Sequence, residues 1–71
     1  MKTYTLYEWR KRRGWTQEEL AAKAELDQAT ISNIENGRVT RPAYNTVFKL
    51  AAALEIDPRS LRFGQREAVS A

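Results

Sequence analysis

The sequence predicts a compact all-α domain of five short helices, and three observations lead there. Two capping boxes, Thr5 with Glu8 and Thr16 with Glu19, mark helix starts: the threonine hydroxyl and the glutamate carboxylate each satisfy a free amide of the other's end. Gly14 and Gly37 stand where a left-handed residue closes a helix, and Asp57-Pro58 supplies a restart with an N-cap followed by proline at the first helical position. Between these marks apolar residues recur at helical spacing, as in Leu20, Ala21, Ala24 and then Ile31, Ile34.

Taken in order, the first helix starts after Thr5 and runs to Arg13, with Leu6, Trp9 and Arg10 on its inner side and Gly14 as its C-cap. Lys11, Arg12 and Arg13 fill its last turn, where cations interact favourably with the helix dipole. Trp15 follows and is expected to be buried between the first two helices, as a tryptophan at such a junction usually is. The second helix opens at Thr16, and Ala24 offers a small residue where another helix can come close. Asp27 is the expected N-cap of the third helix, three residues further on, which turns Ile31, Ile34 and Glu35 inward. The 3.6-residue period then leaves Gln28, Ala29, Ser32, Asn33 and Asn36 outward. That face is uncharged and rich in groups that both donate and accept hydrogen bonds. A solvated face would ordinarily carry Lys and Glu, so these side chains suggest a surface that reads base edges.

The stretch from Thr16 to Gly37 resembles the helix-turn-helix of the phage repressor and Cro family, the XRE-type regulators. Gln17, Leu20, Ala21, Ile31, Ile34 and the run Glu35-Asn36-Gly37-Arg38 all fall on its pattern. The resemblance covers about residues 6 to 63 and implies a lambda-repressor-like fold with the third helix in the major groove of double-stranded DNA. It also implies phosphate contacts from Gln17 and Asn36, an ion pair between Arg10 and Glu35 that ties the first helix to the reading helix, and a two-fold contact between subunits near Leu61 and Phe63. Two positions depart from the family. Glu25 stands where the turn usually has glycine, at a cost of roughly 1 kcal/mol if the backbone there is left-handed, and Ala43 stands where a serine usually caps the fourth helix.

Beyond Gly37, the loop Arg38-Val39-Thr40-Arg41-Pro42 is basic and extended, because Pro42 disfavours helical geometry at Arg41. The fourth helix, about Tyr44 to Leu54, buries Val47, Leu50, Ala51 and Leu54, with Phe48 at the edge of that stripe. A short fifth helix is expected from about Pro58 to Arg62, exposing or half-exposing Leu61 and Phe63, which either close the core or form the two-fold contact. Residues 1–63 make the domain, and residues 64–71, without apolar periodicity, are expected to be a flexible tail.

Composition narrows the function. The 71 residues include no Cys and no His, which removes thiolate nucleophiles, imidazole bases and the usual zinc ligands. Glu18 and Glu19 point about 100 degrees apart on a helix, and one of them is occupied in capping, so no catalytic constellation assembles. An enzyme is not expected, nor is a metal, a cofactor or a small-molecule ligand. No apolar run approaches the length of a membrane span and no signal-peptide pattern follows Met1, so a cytoplasmic location is expected. Twelve Lys and Arg against nine Asp and Glu favour a polyanionic partner only weakly. Their placement says more. Base readout falls to Gln28, Ala29, Ser32 and Asn33, and phosphate contact to Thr16, Gln17, Asn36, Arg38 and Arg41, with Lys11 and Arg13 as further candidates. The expected activity is sequence-specific DNA binding as a homodimer on a palindromic operator, most simply as a repressor. The alternatives are an antitoxin or accessory protein with autoregulatory DNA binding, and a helix-turn-helix that serves as an interaction module.

Overall fold

In the computed structural model, residues 2–63 are described. A two-residue strand β1 (Tyr4–Thr5) leads directly into α1 (Leu6–Arg13), followed by α2 (Gln17–Ala24), α3 (Gln28–Glu35) and α4 (Tyr44–Leu54). A single 3-10 turn (Pro58–Ser60) and strand β2 (Leu61–Arg62) complete the described chain.

Local chemistry accounts for most of the boundaries. Thr5 Oγ1 accepts from the Glu8 amide at 3.2 Å while Glu8 Oε1 accepts from the Thr5 amide at 2.9 Å, so α1 opens with both halves of its box made. Thr16 and Glu19 repeat the arrangement at 3.1 and 2.8 Å for α2. Gly14 closes α1 at φ 76°, its amide donating to the carbonyls of Arg10 and Lys11. α2 closes the same way on Glu25, at φ 59°, so this side chain does occupy the left-handed turn position expected from the sequence. A second glutamate, Glu55, does so after α4 at φ 60°. Asp27 occupies the N-cap of α3 with extended backbone, but its carboxylate makes no capping hydrogen bond. Its carbonyl instead accepts from the Thr30 amide at 3.0 Å. The cap of α3 is thus backbone-only, a correction to the sequence reading. Ala43 likewise gives α4 no side-chain cap.

The core is built from Leu6, Leu20, Ile31, Leu50 and Leu54, all fully buried. Each such side chain contributes about 1.5–3 kcal/mol relative to exposure. Ala21, Ala24 and Ala51 are also buried and leave room for helices to approach, so α2 packs against both α3 and α4. Val47 and Trp15 are only half-buried, and Phe48 is 45% exposed, where its ring meets that of Tyr44 at 4.6 Å between centroids.

The expected fifth helix is absent: four α-helices are followed by one 3-10 turn. Asp57 caps that turn by accepting from the Arg59 amide at 2.8 Å, as its place before Pro58 implies. The chain then extends, and Leu61 and Arg62 pair in parallel with Tyr4 and Thr5. Trp9 Nε1 donates to the Ser60 carbonyl at 2.9 Å, taking the acceptor that a continuing helix would have used internally. Extension also turns Leu61 inward. At 7% exposure it closes the core, and Phe63 is half-buried against the same core. The expected tail lies outside the described residues. Among the described residues no helix is long and apolar enough to cross a membrane, and no cluster of His, Cys, Asp or Glu could hold a metal ion.

Candidate nucleic-acid interface

The outward side of α3 carries Gln28, Ala29 and Asn36 exposed, with Ser32 and Asn33 half-buried at its edges. The face exists because Ile31 and Ile34 are drawn into the core on the opposite side. Its orientation is held from behind by an ion pair. Arg10 Nε donates to Glu35 Oε2 at 2.6 Å and a terminal guanidinium nitrogen to Oε1 at 3.0 Å, with the side chains only 10% and 4% exposed. The other terminal nitrogen donates to the Trp15 carbonyl at 2.7 Å. One guanidinium thus joins α1, the α1–α2 junction and the end of α3. The hydrogen bond to Glu35 raises the Arg10 pKa above its ordinary value, keeping the cation charged at any workable pH.

Gln17 extends this arrangement to the reading face. Its Nε2 donates to Glu35 Oε1 at 3.1 Å, and its Oε1 accepts from Gln28 Nε2 at 3.2 Å. A continuous path therefore runs from the buried guanidinium through Glu35 and Gln17 to the first residue of α3. The far end of the face is also linked. Asn36 Nδ2 donates to Ser32 Oγ at 3.2 Å, and an Arg38 guanidinium nitrogen donates to Asn33 Oδ1 at 3.3 Å. The Asn33 carbonyl accepts from the amides of Arg38 and Val39 at 2.9 and 3.2 Å, holding the start of the basic loop beside the helix end. Gly37, at φ 81°, makes the reversal. Thr16, Arg38 and Arg41 are exposed.

Of the predicted site residues, Gln17, Gln28, Ser32, Asn33, Asn36 and Arg38 are thus linked by hydrogen bonds along α3. Leu61 and Phe63 lie elsewhere, against the core. Arg13 is also reassigned: its guanidinium donates to the Leu54 carbonyl, a free acceptor at the end of α4, and lies 5.6 Å from the Trp9 ring centroid. In this position it closes the end of α4. Lys11 is held 5.8 Å from the Tyr7 ring centroid and Arg12 3.9 Å from that of Tyr4. Sequence reasoning passed over these aromatic seats, although the Tyr7–Lys11 and Trp9–Arg13 spacings of four residues signal them on a helix. The Gln17–Gln28 bond had no comparable signal, since it joins two elements.

With this geometry in place, comparison with known proteins is informative. The sequence pattern of the helix-turn-helix family matches residues 6–61, most of the chain. The chain belongs to the helix-turn-helix family. It is of the XRE type that its α2–α3 residues resemble. Antitoxin HipB of Escherichia coli K12 is 47% identical over 47 residues, covering 66% of this chain and 52% of that protein. HipB of strain CFT073 matches at the same identity with 49% of its length covered. The chain thus spans about half the length of these relatives. Among solved structures, the restriction-modification controller protein C.AhdI of Aeromonas hydrophila superimposes with TM-score 0.73 at 36% identity, over 78% of this chain and 82% of that one. The N-terminal DNA binding domain of SinR from Bacillus subtilis gives TM-score 0.74 at 29% identity, over 78% and 80%. The helix-turn-helix of this protein is α2, the turn at Glu25, and α3.

Proposed function

We propose that this helix-turn-helix protein is a sequence-specific double-stranded DNA-binding transcription regulator. The observation that carries the proposal is the outward row Gln28, Ala29, Ser32, Asn33 and Asn36, backed by a buried ion pair and followed in the chain by the exposed Arg38 and Arg41. α3 would lie in the major groove, with Gln28, Ala29, Ser32 and Asn33 reading bases and Thr16, Gln17, Asn36, Arg38 and Arg41 meeting phosphates. A homodimer on a palindromic operator, with half-sites about one helical turn apart, suits a single reading helix per chain. The leading role is repression by occupying a promoter in the cytoplasm.

Two substitutions test the division of labour. Gln28→Ala should relax preference at one base pair, a loss of about 1–3 kcal/mol of discrimination. Arg41→Ala should weaken binding to all duplexes alike and lower the salt slope by about one. Titrations on single-base operator variants at two salt concentrations separate them, and the reverse pattern overturns the assignments. The likeness to antitoxin HipB supports a second reading, in which DNA binding is autoregulatory and the main partner is a protein. Co-purification of a stoichiometric protein partner from the native host, with operator binding retained in the complex, would favour it.

A further inference from the structure

The outer side of α1 carries two cations, Lys11 and Arg12, that meet no anion among the described residues. We propose that this side is a docking surface for an acidic segment of a protein partner, whose carboxylates bind Arg12 and Lys11. The surface is separate from the α3 row and goes beyond the function proposed above.

Tyr4, Tyr7, Glu8, Lys11 and Arg12 line an open groove of about 310 Å³ formed by β1 and α1. By the helical period Glu8 and Arg12 fall opposite the buried Leu6 and Arg10, so the groove is on the side of α1 turned away from the ion pair with Glu35. The Arg12 guanidinium lies over the Tyr4 ring, 3.9 Å from its centroid. At that distance its face meets the ring, which leaves the N–H edge open in the forked geometry that grips a carboxylate. The seat is itself anchored. Tyr4 meets Trp9 edge-on at 5.0 Å between centroids, and the Trp9 indole is bound to the Ser60 carbonyl at 2.9 Å. Glu8 does not compensate the two cations, because its Oε1 accepts from the Thr5 amide at 2.9 Å and meets Arg62 at 3.4 Å. The groove is therefore positive, with the Tyr7 ring, 48% exposed, as its apolar wall.

This chemistry selects the occupant. A small-molecule site encloses most of its ligand, and one side of a helix with a two-residue strand cannot. Single-stranded nucleic acid needs open rings on which bases stack, but Tyr4 is already covered by Arg12 and Trp9, and Tyr7 is approached by Arg10 at 5.3 Å and by Lys11 at 5.8 Å. Carboxylates require neither. They require donors whose charge is uncompensated and whose geometry is held, and here Arg12 supplies a fork with the Lys11 point charge beside it. A protein segment brings several carboxylates along one backbone, and an apolar side chain among them covers the exposed part of Tyr7. Such a partner leaves the α3 row uncovered.

The experiment selects short peptides from a random display library on the full chain, then titrates an enriched synthetic peptide by fluorescence anisotropy. Enriched peptides should carry Asp or Glu beside an apolar residue. Arg12→Ala and Lys11→Ala should each weaken the peptide by about fivefold or more. Tyr4→Leu should weaken it likewise by releasing Arg12, whereas Tyr4→Phe keeps the ring and should stay within about twofold of the wild type. Circular dichroism confirms that each variant is folded. Arg12→Ala should leave unchanged the salt slope of binding to a duplex enriched from a random pool. Peptides without acidic residues, or affinities that move less than about twofold in both Arg12→Ala and Lys11→Ala, overturn the proposal. So does a salt slope lowered by about one in Arg12→Ala, which makes the groove a DNA contact. A wild-type dimer that Arg12→Ala dissociates in sedimentation also overturns it, since the groove then holds a second copy of the chain. Each of these results leaves the DNA-reading role of α3 to be judged by its own titrations.

Discussion

Replacing Arg10 by Met removes the guanidinium while keeping most of its stem. Glu35, with its side chain 4% exposed, then keeps only the Gln17 amide of the donors that held it, and the Trp15 carbonyl loses its bond as well. Removing one member of a buried pair costs about 3–5 kcal/mol, because the other is left uncompensated. A chain of this length has a total stability of about 4–11 kcal/mol. The variant should therefore lose at least about 12 °C of melting temperature, at about 4 °C or more per kcal/mol for a domain this small. Urea unfolding followed by circular dichroism gives the free energy directly. The informative comparison is the double variant Arg10→Met with Glu35→Leu, which removes both charges and should recover most of the loss. A cost below about 1 kcal/mol for the single variant, the value for a solvent-exposed bridge, would refute the reasoning. So would a double variant no more stable than the single one.

Other outcomes follow from the same geometry. Glu25→Gly and Glu55→Gly should each stabilise by roughly 0.5–1 kcal/mol, since relief of a left-handed side chain at φ 59° or 60° outweighs the added freedom of the unfolded glycine; chemical denaturation reads the gain. Arg13→Gln should lower stability by about 1 kcal/mol through loss of a charged bond to the α4 end, with the salt slope of DNA binding unchanged in a titration series. The Thr5 amide holds the Glu8 carboxyl below its ordinary pKa. Its contribution is therefore present above the unfolded pKa and lost as pH falls through the folded one. Because Glu8 is half-exposed the loss should stay under about 1 kcal/mol, and Glu8→Gln should flatten stability measured between about pH 5 and 3.

What could be read along the chain was decided by neighbours three or four residues apart. Thr5 and Glu8, Thr16 and Glu19, and Gly14 act within one helical turn, so α1 and α2 were legible, and the apolar spacing of α3 set its outward row. The apolar spacing of Val47, Leu50, Ala51 and Leu54 marked α4, but with Ala43 before it no capping signal fixed its start. Resemblance supplied the Arg10–Glu35 pair, which no local rule gives, and the structure places the two in contact.

Tertiary structure decided the rest, because those choices depend on partners far away in sequence. Pro58 and Asp57 start a helix anywhere, but it is β1, at the other end of the domain, that gives Leu61 and Arg62 a strand to join, and the Trp9 indole that takes the Ser60 carbonyl. Arg13 reads as one cation among several until the end of α4 is brought beside it. Gln17 and Gln28 belong to different helices, and their bond exists because the turn at Glu25 and the buried Glu35 bring them together. Local hydrogen bonds and helical periodicity therefore determined where the helices lie and which side chains α3 turns outward, whereas the packing of α1 and α2 against α3 determined how those side chains are aimed.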